Sequence, residues 1–188
     1  MSKNNSLQNY LIQTIKLSKR ETDFVKNKLN HLELKKGDSL LNIGDVCSSA
    51  YFIISGSFYQ YNHDDDFNIK VIDLYSKEDW MLNHRSFTSR KPSQNSIEAF
   101  EDSTVYELSI ESIHELIAIS PSFLKLGKIL DIANNRLEFF DQNKSADEKY
   151  RYILTQKPML IQKFPLTIIA SYLKISPETL SRVRKRIN

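Results

Sequence analysis

The most regular hydrophobic pattern in the chain lies near its C-terminal end. Leu166, Ile169, Ala170 and Leu173 recur at i, i+3, i+4 and i+7, which places them on one face of a helix. Pro165 can open that helix, because a first-turn proline gives up no hydrogen bond. Lys174-Ile175 makes the turn, Ser176 caps a second helix, and Pro177 takes its first position. Leu180, Val183 and Ile187 form the inward face of the second helix. Glu178, Ser181, Arg182 and Lys185 fall opposite, flanked by Arg184 and Arg186. The pattern predicts a helix-turn-helix whose second helix has one apolar and one basic side, a shape that suits the DNA major groove. The plainer alternative is a solvated basic helix resting on a small domain; the cap and the tight turn favour the reading head.

Upstream the period changes. Ser18-Lys-Arg-Glu21 is a capping box and predicts a helix through about Leu32, with Phe24, Val25, Leu29 and Leu32 on one side. Short β-rich runs follow, punctuated by Gly37, Gly44 and Gly56: Ser39–Ile43, Tyr51–Ile54, Phe58–Tyr61, Ile69–Leu74, Ile97–Phe100 and Thr104–Leu108. Strands of this length and spacing predict a sandwich or jelly roll. Ser109 caps a short helix through Ile119, and Ser120-Pro121 opens a longer one. In the longer helix Leu126, Ile129, Leu130, Ala133, Leu137 and Phe140 keep an apolar stripe. That stripe can lie on the β domain or pair with its twin. Pairing is favoured, because groove-reading helices usually act as two copies about one DNA turn apart. The fold class is therefore α+β: a β-roll with flanking helices over 1–119, a long dimerisation helix and hinge over 120–145, and a helix-turn-helix over 146–188.

Charge sharpens this division. The 188 residues carry a net charge of only +3, from 26 Lys+Arg and 23 Asp+Glu. Residues 146–188 hold 9 basic and 3 acidic residues, a net of +6, which leaves −3 for the rest. A basic module joined to an acidic one suits a nucleic-acid reader attached to something else. The single cysteine, Cys47, excludes an intramolecular disulfide and a cysteine-ligated iron–sulfur cluster, and fits a reducing cytoplasm. No apolar run reaches the ~18 residues of a membrane span, and no signal-peptide core follows the N-terminus. No phosphate loop, nucleophile elbow or zinc signature is present, so the chain is not expected to be an enzyme. His31, His63, His84 and His114 show no ligand spacing, and Asp64-Asp65-Asp66 reads as a solvated turn. No metal or cofactor is predicted.

The order of elements resembles that of the Crp–Fnr superfamily of bacterial transcription regulators over nearly the whole chain. Lys36–Asp45 and Tyr51–Ser57 look like the family's early β-roll, Ala99–Ser109 like its last roll strands, and Ser176–Arg182 like its recognition helix. The wording of the helix-turn-helix is similar to a short subgroup found in Bacteroidetes-type bacteria. The resemblance implies a homodimer that binds a palindromic site on double-stranded DNA, with RNA polymerase as a further candidate partner. By the same resemblance Glu178 and Arg182 read base edges, which suits a carboxylate accepting from cytosine and a guanidinium forking onto guanine. Ser176 and Thr179 match positions near phosphates. The predicted DNA surface is thus Ser176, Glu178, Thr179, Ser181, Arg182, Lys185 and Arg186. Three departures stand out: Pro177 replaces a frequent arginine, Lys174 replaces a frequent turn glycine, and the chain ends at Asn188 with no β-wing expected.

The ligand pocket departs furthest. Family members that bind cyclic nucleotides carry a Gly-Glu pair for the ribose and an Arg-Ser pair for the phosphate. Without gaps those positions fall on Leu82-Asn83 and Ser93-Gln94, and neither pair survives. A phosphate buried without a cation is costly. Trp80, Met81, Leu82, Asn83, Arg85, Ser93 and Gln94 mark the region where an unknown small-molecule effector could sit; Trp80, Met81 and Phe87 can also simply fill the roll. The alternatives to a regulator with a degenerate pocket are a cyclic-nucleotide-responsive regulator, or a sensor or protein-interaction module with weak DNA binding.

Overall fold

The computed structural model describes residues 4–132 and 144–187. Two helices, α1 (Asn4–Gln13) and α2 (Lys19–Lys26), precede eight antiparallel strands: β1 (Asn30–Leu34), β2 (Ser39–Leu41), β3 (Ser49–Ser55), β4 (Ser57–His63), β5 (Ile69–Ser76), β6 (Trp80–Met81), β7 (Ser96–Ala99) and β8 (Ser103–Ser109). A short helix, α3 (His84–Ser89), interrupts them between β6 and β7. The strands form two four-stranded sheets, β1-β8-β3-β6 and β2-β7-β4-β5. Helix α4 (Ile110–Ile119) follows, then a 3-10 segment (Pro121–Gly127) that runs into helix α5, described over 128–132. The C-terminal unit is α6 (Ala146–Gln156), α7 (Pro158–Lys163), α8 (Leu166–Leu173) and α9 (Pro177–Ile187).

The capping box at Ser18 forms as expected: Ser18 Oγ accepts from the Glu21 amide, and the Glu21 carboxylate accepts from the Ser18 amide. The helix it starts ends at Lys26, not Leu32. Leu32 lies in β1, where it pairs with Val105 of β8. Sheet pairing overrides the helical spacing of Leu29 and Leu32. Gly56 makes the corner between β3 and β4 with φ +94, and a Cβ there would lie 2.7 Å from the Ser103 backbone. Only glycine fits both the conformation and the space.

The roll's core is filled from both sheets and from α1. Phe52 and Trp80 pack edge to face at 5.4 Å, and Tyr10 of α1 covers both. Trp80, Met81, Leu82 and Phe87 are all buried. The large side chains after Asp79 therefore plug the roll, and burial of so much apolar surface stabilises it.

The stripe predicted for pairing is divided. Leu126 and Ile129 are each only 3% exposed and belong to the roll's own core, so they have no surface left for a partner. This corrects the expectation for both. The segment around Leu126 turns as a 3-10 helix, which rotates its side chains onto Phe24 and α4 rather than outward. Leu130 is half-buried, and Ala133, Leu137 and Phe140 lie outside the described residues. Leu124 and Ile132 are exposed instead.

Candidate nucleic-acid interface

Helix α9 is built as its pattern requires. Ser176 Oγ accepts from the Thr179 amide at 3.2 Å, which satisfies one of the free donors at the helix start. Leu180 and Val183 are buried against α6 and α8, in a cluster that includes Tyr150, Ile153 and Leu173. Ser176, Pro177, Glu178, Ser181, Arg182, Lys185 and Arg186 are exposed, and Thr179 is half-buried.

The structure brings four of the predicted residues into one set. Ser176 donates to Thr179 Oγ1 at 3.1 Å, and Arg182 Nη2 donates to the same oxygen at 3.5 Å. Glu178 is held below the usual carboxylate range by its own helix-start amide, by Ser176 and by the Arg182 charge. It is therefore an ionised acceptor beside a guanidinium, the pair of chemistries that can address a C·G step. Ser181 and Lys185 share the exposed surface without drawing on this set. Arg186 is different: its guanidinium forms an ion pair with Asp147 in the first turn of α6.

The turn between α8 and α9 is the one expected, and it is strained. Lys174 adopts φ 56, ψ 45 at the C-cap of α8, a left-handed conformation that costs a non-glycine residue roughly 1–2 kcal/mol. A partner that the pattern did not reveal braces this corner. Lys149 of α6 is only 8% exposed and its Nζ donates to the carbonyl of Leu173 at 3.1 Å. An ammonium at the C-terminal end of α8 complements the helix dipole. The only sequence signal was a lysine beside Tyr150 and Ile153 on a short helix.

The C-terminal unit rests on the roll through its opposite side. Phe164 meets Phe100 at 4.8 Å, Ser171 Oγ accepts from the Val71 amide of edge strand β5 at 3.0 Å, and Lys157 Nζ pairs with Asp79 at 2.9 Å. Tyr59 and Tyr61 stack at 4.7 Å and donate to the two oxygens of Glu98, giving this sheet face a satisfied polar edge. The basic side of α9 remains in solvent.

The predicted effector region is brought together only in part. Asn83, Arg85, Ser93 and Gln94 line a polar cavity of about 160 Å³. Trp80, Met81 and Leu82 are not in it; they are core residues, which corrects their placement in a pocket. Asn83 caps α3 by accepting from the Ser86 amide at 2.9 Å, and donates to Ser93 Oγ at 3.0 Å. Arg90 spends one nitrogen on the Cys47 carbonyl at 2.7 Å. Cys47 is buried and burial pushes its thiol pKa up, so it is a packing residue rather than a reactive one. Asp64 folds its carboxylate back onto the Asp66 and Asn68 amides, and among the described residues no group of His, Cys, Asp or Glu could hold a metal ion.

Residues 31–120 match the cyclic nucleotide-binding domain family. Solved structures extend the likeness beyond that domain. FixK2 from Bradyrhizobium japonicum is similar at a TM-score of 0.68 and 16% identity, covering 85% of this chain and 84% of that one. The c-di-GMP responsive global regulator CLP from Xanthomonas campestris is similar at 0.64 and 15%, covering 90% and 91%. A transcriptional regulator of the Crp/Fnr family from Eubacterium rectale is similar at 0.63 and 17%, covering 97% and 87%. No curated protein matches the sequence. Residues 31–120 thus resemble a cyclic nucleotide-binding domain, and the fold is shared with these solved structures over most of the chain. Among the described residues no helix is long and apolar enough to cross a membrane.

Proposed function

We propose that this protein is a DNA-binding transcription regulator that acts as a homodimer on a palindromic operator in the cytoplasm, without catalytic activity. The observation that carries the reading is the state of α9. Its apolar side is seated on α6 and α8, while Glu178, Ser181, Arg182 and Lys185 stand in solvent on a capped helix. Such a helix can enter the major groove without rearranging the core beneath it. Arg182 and Glu178 would read bases; Ser176, Thr179 and Lys185 would hold phosphates. Arg186 would join them once released from Asp147. The exposed Leu124 and Ile132, with Ala133, Leu137 and Phe140 beyond, would form the seam between subunits.

The roll in this reading does not take cyclic nucleotides. Asn83 and Ser93, at the positions of the family's glutamate and arginine, are neutral and bonded to each other; Arg85 and Lys91 line the same cavity, but neither stands at the arginine's position. RNA polymerase is the partner through which such a regulator would act.

Selection of DNA from a random pool by the purified chain tests the proposal. The expected product is a palindrome whose half-sites lie about 10 base pairs apart. Arg182→Glu together with Lys185→Glu should abolish its retention in a gel-shift. Recovery of no enriched sequence, or retention unchanged by the double reversal at moderate salt, overturns it.

A further inference from the structure

Between α3 and the helices that follow the roll lies an apolar cavity of about 220 Å³. Its walls include Phe87 of α3, Ile113 and Ile117 of α4, and Phe123 and Leu126 of the 3-10 segment. The cavity opens into a shallower mouth of about 540 Å³, which adds Thr88, Arg90 and Glu111. It shares no lining residue with the polar cavity around Asn83 and Ser93. This space is therefore distinct from the region in which the fold ordinarily holds a nucleotide.

The size and lining select an occupant. A closed apolar cavity of ~150 Å³ lined by Leu, Ile and Phe stays dry and accepts benzene. At about 220 Å³ this one has room for one ring and a short arm. The mouth supplies a charge for the arm. Arg90 caps α3 in a left-handed conformation with φ 57, and its described contact uses only Nη1, on the Cys47 carbonyl. The one acid in the mouth, Glu111, is held below the usual carboxylate range by its own helix-start amide and Ser109 first, and after them by the Arg90 and His114 charges. Arg90 is the one permanent cation among the mouth's lining residues, and a guanidinium is the side chain best suited to a carboxylate.

We propose that this cavity binds a small aromatic carboxylic acid, with its ring between Phe87, Ile113, Ile117 and Phe123 and its carboxylate on Arg90. Such a ligand touches α3, α4 and the approach to α5 together. Its binding does not depend on whether the chain reads DNA, so the two readings fail separately.

Calorimetry and ligand-observed NMR on the full chain, with phenylacetate and ethylbenzene as probes, test the site. Phenylacetate should bind saturably and at least tenfold more tightly than ethylbenzene. Arg90→Gln should erase that preference while leaving ethylbenzene binding unchanged, and Arg90→Lys should restore most of it. Ile113→Phe, which fills the cavity, should weaken both probes at least tenfold with an unchanged circular dichroism spectrum. If that variant does not fold, Ile117→Phe serves the same purpose. Absence of saturable binding by either probe, or affinities indifferent to both Arg90→Gln and cavity filling, overturns the proposal. So does binding that appears only after a dimer is dissociated, which would mean that a second copy occupies the groove.

Discussion

Asn83 and Ser93, ten positions apart in the chain, are joined by a hydrogen bond of 3.0 Å inside the roll. Both are 3% exposed. They stand where the resemblance places a ribose-binding glutamate and a phosphate-binding arginine. The pair has thus become internal: one side chain satisfies the other, and Asn83 also caps α3. Two consequences can be measured. Cyclic AMP and cyclic GMP should give no micromolar binding in calorimetry. Asn83→Ala and Ser93→Ala should each cost about 1–3 kcal/mol in chemical denaturation, because each leaves a buried polar partner unmatched. The double variant should cost less than the sum of the two. Additive losses would show that the bond is not what holds α3.

At Lys174 the backbone itself is the test. Its φ of 56 lies in the region that glycine occupies without strain. Lys174→Gly should leave stability within about 1 kcal/mol of the parent, as relief of strain offsets greater freedom in the unfolded chain. Lys174→Val should lose about 1–2 kcal/mol, since a β-branched side chain tolerates this conformation worst. Thermal unfolding of the three proteins decides it. A valine variant as stable as the parent would mean that the turn relaxes to another conformation.

Much of this architecture could be read from local chemistry, and the exceptions share a cause. The caps at Ser18, Ser109 and Ser176 mark true helix starts, because a cap is a contact between neighbours in sequence. The stop of α2 at Lys26 was not legible, because it is set by β8, more than seventy residues away. The destination of the Leu126 and Ile129 stripe was ambiguous for the same reason: periodicity shows that a face is apolar, not what it meets. Helices α6 and α7 carry the brace Lys149 and the docking contacts Lys157 and Phe164, yet they are short and lack a long apolar period. At the interface, exposure of Glu178, Arg182 and Lys185 follows from helical spacing. The pairing of Arg186 with Asp147 does not, because it depends on how α9 crosses α6.

Acid should loosen the joint between the N-terminal helices and the segment after α4. Glu21 has its pKa lowered to about 2 by the Ser122 hydroxyl first, and then by the Ser18 amide and hydroxyl. A carboxyl whose folded value lies below its unfolded one stabilises the fold above the unfolded pKa, and that contribution is lost as pH falls toward the folded pKa. The window runs from about 4.5 down to about 2. Urea midpoints measured across that range should fall more steeply for the parent than for Glu21→Gln. Parallel slopes would assign the acid sensitivity to the other carboxylates held low, such as Glu148 and Asp102.

In the proposed DNA complex, the ion pair between Arg186 and Asp147 would set how many cations α9 offers to the phosphate backbone. In the free chain Arg186 is tied to α6, while among the described residues neither Arg182 nor Lys185 forms a close ion pair with an acid on another helix. Each additional phosphate contact steepens the fall of log K with log salt by about 0.9. Asp147→Asn removes the competing carboxylate without adding charge to the exposed side of α9. It should therefore tighten binding to the selected operator several-fold at low salt, and steepen the salt slope by about one contact. The selected sequence should not change, because a phosphate contact positions the protein without reading bases. A variant with the parent's slope and affinity would show that Arg186 already leaves Asp147 in the complex at no cost, or never reaches the backbone. Arg186→Ala in the parent separates these two cases: a shallower slope identifies the first, and an unchanged slope the second.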